Sequence, residues 1–359
     1  MNAAGPAAWT ALREAGLVRG EAPTVGVETP WYVRLMLGVA GWIAASFLLG
    51  FVAVGMSWVI ESELACMVGG LLASAAAWWL LRRLGRNEFA AQFGLAVSFA
   101  GQALFAYGLF SLFEFGADAT VPWLLLALQQ ALLVAVMPNA IHRGWSGLLA
   151  AVAVYMALRA GGLGYVAPAL LLGAAAWAWL NEFRWPRHGA LLRPAAYGVI
   201  LALILLELAI GPLRPVTPLD PAAAPAATRL FGQALNGAVL LCVVWALLRR
   251  QGARPPERVA LAALGGSLAV VLVSLQAPGI ATGLCILLLG FAQGNRVLTG
   301  LGGAALVLYA GSYYYQLDVT LLVKAQALAA TGAVLLTLRW LLLRWIAQPP
   351  RTAPEAGHG

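Results

Sequence analysis

Charge in this chain is confined almost entirely to the gaps between long apolar runs, and its sign alternates from gap to gap. The gaps holding Arg82 to Arg86, Arg143, Arg184 to Arg193 and Arg249 to Arg258 are basic. Those holding Glu61 and Glu63, Glu114 and Asp118, and Asp220 are acidic. Helices threaded through a bilayer keep Lys and Arg on one side, which produces this alternation. The pattern predicts an all-α fold, a polytopic helical transmembrane bundle. Composition agrees: 62% of residues are hydrophobic and 10% charged, against about a quarter charged in a soluble domain. The net charge of +8 then reflects arginines held at one membrane face, and no nucleic-acid surface is implied.

A helix needs about 20 mostly apolar residues to cross the hydrocarbon. Twelve runs are placed, at 35–59, 64–81, 89–112, 120–137, 144–160, 163–180, 194–211, 229–248, 259–276, 278–294, 297–311 and 319–345. Gly161, Gly162 and Gly164 separate the fifth run from the sixth. With the N-terminus in the cytoplasm, 18 of the 22 Lys and Arg residues fall on the cytoplasmic side. Arg159, Arg214 and Arg229 lie outside, and Lys324 is within the last run. About twelve spans with both termini cytoplasmic are therefore expected.

Residues 1–30 read as a cytoplasmic segment, with Trp9, Leu12 and Leu17 on one stripe of a short amphipathic helix followed by a linker. Its start lacks the apolar core of a cleavable signal. Residues 31–346 form the transmembrane domain, and 347–359 a disordered cytoplasmic tail. In the outer loop, Pro212, Pro215, Pro218 and Pro221 recur at the polyproline II period and suggest a stiff spacer. Trp31, Trp58, Trp123, Trp145, Trp185 and Trp345 mark span ends as an interfacial belt.

Chemistry is hard to find in this sequence. Cys66, Cys242 and Cys285 sit inside apolar runs without paired spacing, so they read as buried packing residues. His142, His188 and His358 are assigned to cytoplasmic gaps or the tail, which leaves no intramembrane ligand for heme or zinc. There is no nucleotide loop and no His-Glu-x-x-His motif. No metal, cofactor or enzymatic role is expected.

Ionisable groups inside a span cost roughly 2.5–3.5 kcal/mol at the helix centre on insertion scales, so each needs a reason. Glu207 lies about 6 Å from the outer end of the seventh run, and Lys324 about 7–8 Å into the twelfth. Arg159 closes the fifth run and Arg229 opens the eighth, on the same side. If those helices adjoin, Glu207 pairs with Lys324, Arg159 or both. Two readings follow: charges that lock helices together or snorkel to the headgroups, or an outer vestibule in which Glu207 relays a proton or cation. The amides Gln102, Gln129, Gln130, Gln233, Asn236 and Gln326 read as interhelical hydrogen-bonding groups. Gly265, Gly266, Gly300, Gly302 and Gly303 read as sites of close helix approach.

Three stretches, LREAGLVRGEAP with WYVRLMLGVAGWIAASFLLGFV (12–52), LRRLGRNEFAAQFGLAVSFAGQALFAYG (81–108) and SYYYQLDVTLLVKAQALAATGAVLLTLRWLL (312–342), resemble an uncharacterised family of bacterial multi-pass membrane proteins classed as a domain of unknown function. The resemblance implies an inner-membrane protein partnered by a second multi-pass protein of the GDYXXLXY-domain type. It implies no activity and no site residues. Two functions are thus expected: a non-catalytic subunit or scaffold of a membrane complex or, alternatively, a secondary transporter of a small solute or ion coupled through Glu207.

Overall fold

The computed structural model describes residues 31–55, 61–85, 87–114, 120–184, 188–210, 226–251 and 258–316, together with 9, 11–16 and scattered helical positions between 322 and 344. Every extended element among them is a helix. They are α1 (Trp31–Gly55), α2 (Glu63–Leu84), α3 (Glu88–Leu112), α4 (Thr120–Val136), α5 (Ala140–Ala160), α6 (Ala167–Leu180), α7 (Gly189–Ile210), α8 (Ala226–Arg250), α9 (Arg258–Ser274), α10 (Ile280–Ala292) and α11 (Arg296–Gln316). Each coincides with one of the first eleven apolar runs. The twelfth run, with Lys324, lies outside the described residues apart from isolated helical positions, as do the proline-rich loop and Leu17. Among the described residues six helices are long and apolar enough to cross a membrane: α2, α3, α5, α7, α8 and α11. The apolar parts of the other five are shorter.

Local chemistry explains the helix ends. Ser62 and Asn87 accept the amides of Ala65 and Ala90 at the starts of α2 and α3, and Asn139 accepts those of Ile141 and His142 at the start of α5. That cap corrects the fifth run. It starts at residue 140 rather than 144, so His142 lies in the first turn of a helix and is fully buried, not in a gap. The signal lost to the apolar count was the polar Asn-x-x-His lead-in. Within α7, Pro194 removes the amide that would have bonded the Ala190 carbonyl. Arg143 Nη1 donates to that carbonyl instead, at 2.9 Å.

The packing falls into two groups. In the first, α2 and α3 form the most extensive pair, and α1 lies along α3. In the second, α5 to α11 surround one large core containing Trp179, Tyr155, Leu203, Leu240, Ile286 and Tyr309, and α4 packs along α5. α3 approaches α4 at few points, so the seam between the groups is thin. Close backbone approach holds the α2–α3 pair: a Cβ on Gly101 would sit 2.8 Å from the Gly70 carbonyl oxygen, and one on Gly70 2.5 Å from that of Gly101. Gly302 likewise abuts the backbone of Leu287 between α11 and α10. Gly265, Gly266 and Gly300 do not meet their expectation, since nothing lies within 4 Å of a Cβ built there. Cys66 and Cys285 are buried, but Cys242 is exposed.

Several contacts tie helix ends together at one end of the bundle. Arg250 donates to the Leu180 carbonyl, joining the ends of α8 and α6. Gln293 Nε2 bonds the Trp179 carbonyl at 2.9 Å, and Asn295 Nδ2 bonds Tyr197 Oη at 2.6 Å. Arg143, Arg249, Arg250 and Arg296 all belong to helix turns at this end.

Gly101→Ala should destabilise the bundle by about 1–3 kcal/mol, because two backbones must separate to admit a methyl group. Gly300→Ala, in open space, should be neutral or slightly stabilising. Thermal midpoints in one detergent would separate the two variants, and equal midpoints would contradict the close-approach account.

Candidate functional site

Glu207 sits three residues from the end of α7 and is 2% exposed. Apolar spacing places it there, since Leu203, Ile204 and Leu206 around it are buried in the same core. Asn236 Nδ2 of α8 donates to Glu207 Oε1 at 2.9 Å, and Thr282 Oγ1 of α10 donates to the same atom at 3.2 Å. Tyr309 of α11 closes the arrangement, its hydroxyl 3.4 Å from the Ile204 carbonyl, which accepts. The Tyr309 ring lies over Gly279, at the start of α10. A Cβ there would stand 2.7 Å from the ring, and the residue holds φ +90°. Only glycine meets both demands without strain. Helices α8 and α10 thus bond the carboxyl group of α7, and α11 closes the arrangement through the α7 backbone.

The expected pairing of Glu207 with Lys324 falls outside the described residues. Among the described residues Glu207 makes no salt bridge, and its Oε1 is held by an amide and a hydroxyl. Arg159 is half-buried in the last turn of α5, where a cation faces the negative end of the helix dipole. Arg229 is exposed in the first turns of α8, and Lys324 lies outside the described residues. The α8 amides fare better. Asn236 is 1% exposed, Gln233 lies one turn away and is half-buried, and Asn236 Oδ1 and Gln233 Oε1 are buried without a bonded partner. Gln326 is exposed.

A second polar cluster joins α3 to α5. His142 Nε2 lies 2.7 Å from Ser98 Oγ and 3.1 Å from Gln102 Nε2, and His142 Nδ1 lies 3.3 Å from Ser146 Oγ. The Phe99 ring packs on the imidazole at 5.6 Å and on Trp145 at 5.3 Å, so Trp145 braces the seam as well as marking a helix end. Gln102 was legible as an interhelical amide, whereas His142, Ser98 and Ser146 were not. Their common face emerges only once α5 begins at residue 140. Gln129 and Gln130, 8% and 0% exposed, bond to each other at 2.9 Å on α4. Among the described residues no cluster of His, Cys, Asp and Glu could hold a metal.

Glu207→Gln keeps an acceptor for both donors, so stability should change little. Glu207→Leu leaves the Asn236 amide and the Thr282 hydroxyl unpaired at depth and should cost about 1–3 kcal/mol. Denaturation of both variants in detergent checks this, and the account fails if Leu is tolerated as well as Gln.

Comparison with curated proteins and with solved structures finds no match. The family model described as Domain of unknown function (DUF4401) matches residues 30–345, nearly the whole helical region, and the chain belongs to that family.

Proposed function

We propose that this membrane protein crosses the bacterial inner membrane about twelve times with both termini in the cytoplasm, and serves as a non-catalytic subunit or scaffold of a membrane complex. The orientation rests on the segregation of arginine and on the contacts that bring arginine-bearing helix ends together. The subunit reading rests on the outer face of α9. Gly265 and Ala269, four residues apart, are exposed there between Leu261 and Leu272, and nothing stands within 4 Å above Gly265. Lipid tails gain nothing from such a groove, whereas a second transmembrane helix packs closely against small residues. The occupant is a second multi-pass membrane protein, of the GDYXXLXY type that the sequence resemblance implies.

The alternative is secondary transport of a small solute or ion through Glu207. It draws on the unpartnered acceptors of Asn236 and Gln233 near that carboxyl group. The 2% exposure of Glu207 and its bonds to two other helices favour a fixed joint.

Co-expression with the GDYXXLXY-type protein and purification in mild detergent should give a stoichiometric complex. Gly265→Leu should lower its yield roughly tenfold, a loss of about 1.4 kcal/mol, with the bundle's own melting unchanged. Absence of a complex, together with a proteoliposome flux abolished by Glu207→Gln, would favour transport instead.

A further inference from the structure

The seam between α1–α3 and α4–α11 leaves hydrogen-bonding capacity unspent. Gln102, 3% exposed, turns one end of its amide to His142 Nε2. Whichever way that amide is oriented, its other end has no partner among the described residues. The Gln129–Gln130 bond leaves Gln129 Nε2 and Gln130 Oε1 equally unpaired.

Two helix registers put these groups at one depth. Met137, just past α4, packs with Ala91 of α3. Ser98 lies seven residues beyond Ala91 and Gln130 seven residues before Met137, about 10 Å in each case. In the α4–α5 hairpin, Gln130 is six residues from the end of α4 and Ser146 six residues past the start of α5. Ser98, Gln130 and Ser146 therefore lie at similar depth, His142 and Gln102 stand within about one helical turn of it, and none of these residues is Asp, Glu, Lys or Arg.

Buried polar atoms in hydrocarbon are rarely left without a partner, and water or a ligand supplies the missing one. A cavity stands near the layer. A cavity of about 530 Å³ is lined by Leu81, Arg82, Arg83, Gly85, Pro138 and Asn139. Asn139 Oδ1 accepts the His142 amide at 3.1 Å, so the cavity wall is one helical turn from the imidazole.

We propose that this seam is a binding chamber for a small uncharged hydrogen-bonding guest, water or a polar solute, entered through the cavity between Arg82, Arg83 and Asn139. The amides, hydroxyls and imidazole offer both donors and acceptors and no net charge, which selects a neutral guest. The two arginines at the mouth attract anions on approach but lie outside the chamber.

Thiol accessibility tests this in membranes, with the exposed Cys242 changed to Ser. Ser98→Cys, Gln102→Cys and Gln130→Cys should react with neutral methyl methanethiosulfonate and more slowly with its anionic ethylsulfonate analogue, while Leu109→Cys, at a fully buried apolar position of α3, should not react. Arg82→Gln with Arg83→Gln should slow that anionic reagent roughly tenfold and speed the cationic trimethylammonium reagent by a similar factor. Slowing by glycerol or acetamide assigns a solute as the guest; no slowing assigns water. The chamber is overturned if none of the three thiols outpaces Leu109→Cys, and the entrance is overturned if the arginine changes have no effect. Three positions on two helices keep the test readable should one variant fail to fold.

Discussion

Inside hydrocarbon no polar group can turn to water, and most of this architecture answers that constraint. Helices satisfy their own backbones, and where one cannot, a neighbour intervenes. Pro194 strands the Ala190 carbonyl and Arg143 reaches it from α5. The last carbonyls of α6 are met by Arg250 and Gln293 from α8 and the end of α10. Such repairs act between helices, so local defects in the ladder become the fastenings of the bundle.

Side chains follow the same logic with a different outcome at two places. Around Glu207 two neutral donors satisfy one oxygen, and the ring of Tyr309 seals the start of α10. Hydrogen bonds there replace the Coulombic pairing that embedded charges commonly use. Around His142 the demand is only partly met, and the unmet share falls near the sparse contact between α3 and α4.

Architecture was more legible in the sequence than the sites were. Apolar run length and charge segregation located eleven helices because both are dictated by the bilayer, residue by residue. Embedded polarity also singled out Glu207, Asn236 and Gln102. Partners were harder to find, since they depend on which helices touch, and that is set by glycine contacts such as Gly70 with Gly101. Thr282 looked like an ordinary β-branched residue in an apolar run. His142 was misplaced because polar residues at a helix start lower the apolar score just where the cap forms. Glycine content alone also could not separate buried crossings such as Gly302 from open positions such as Gly265.

α10 has 13 residues and therefore reaches only about 20 Å, well short of a hydrocarbon layer of about 30 Å. Yet Ala281, Cys285, Ile286 and Leu289 place it in the heart of the core. The turns at its two ends therefore complete the layer with non-helical backbone backed by protein, where Gly279 meets the Tyr309 ring and Gln293 bonds the Trp179 carbonyl.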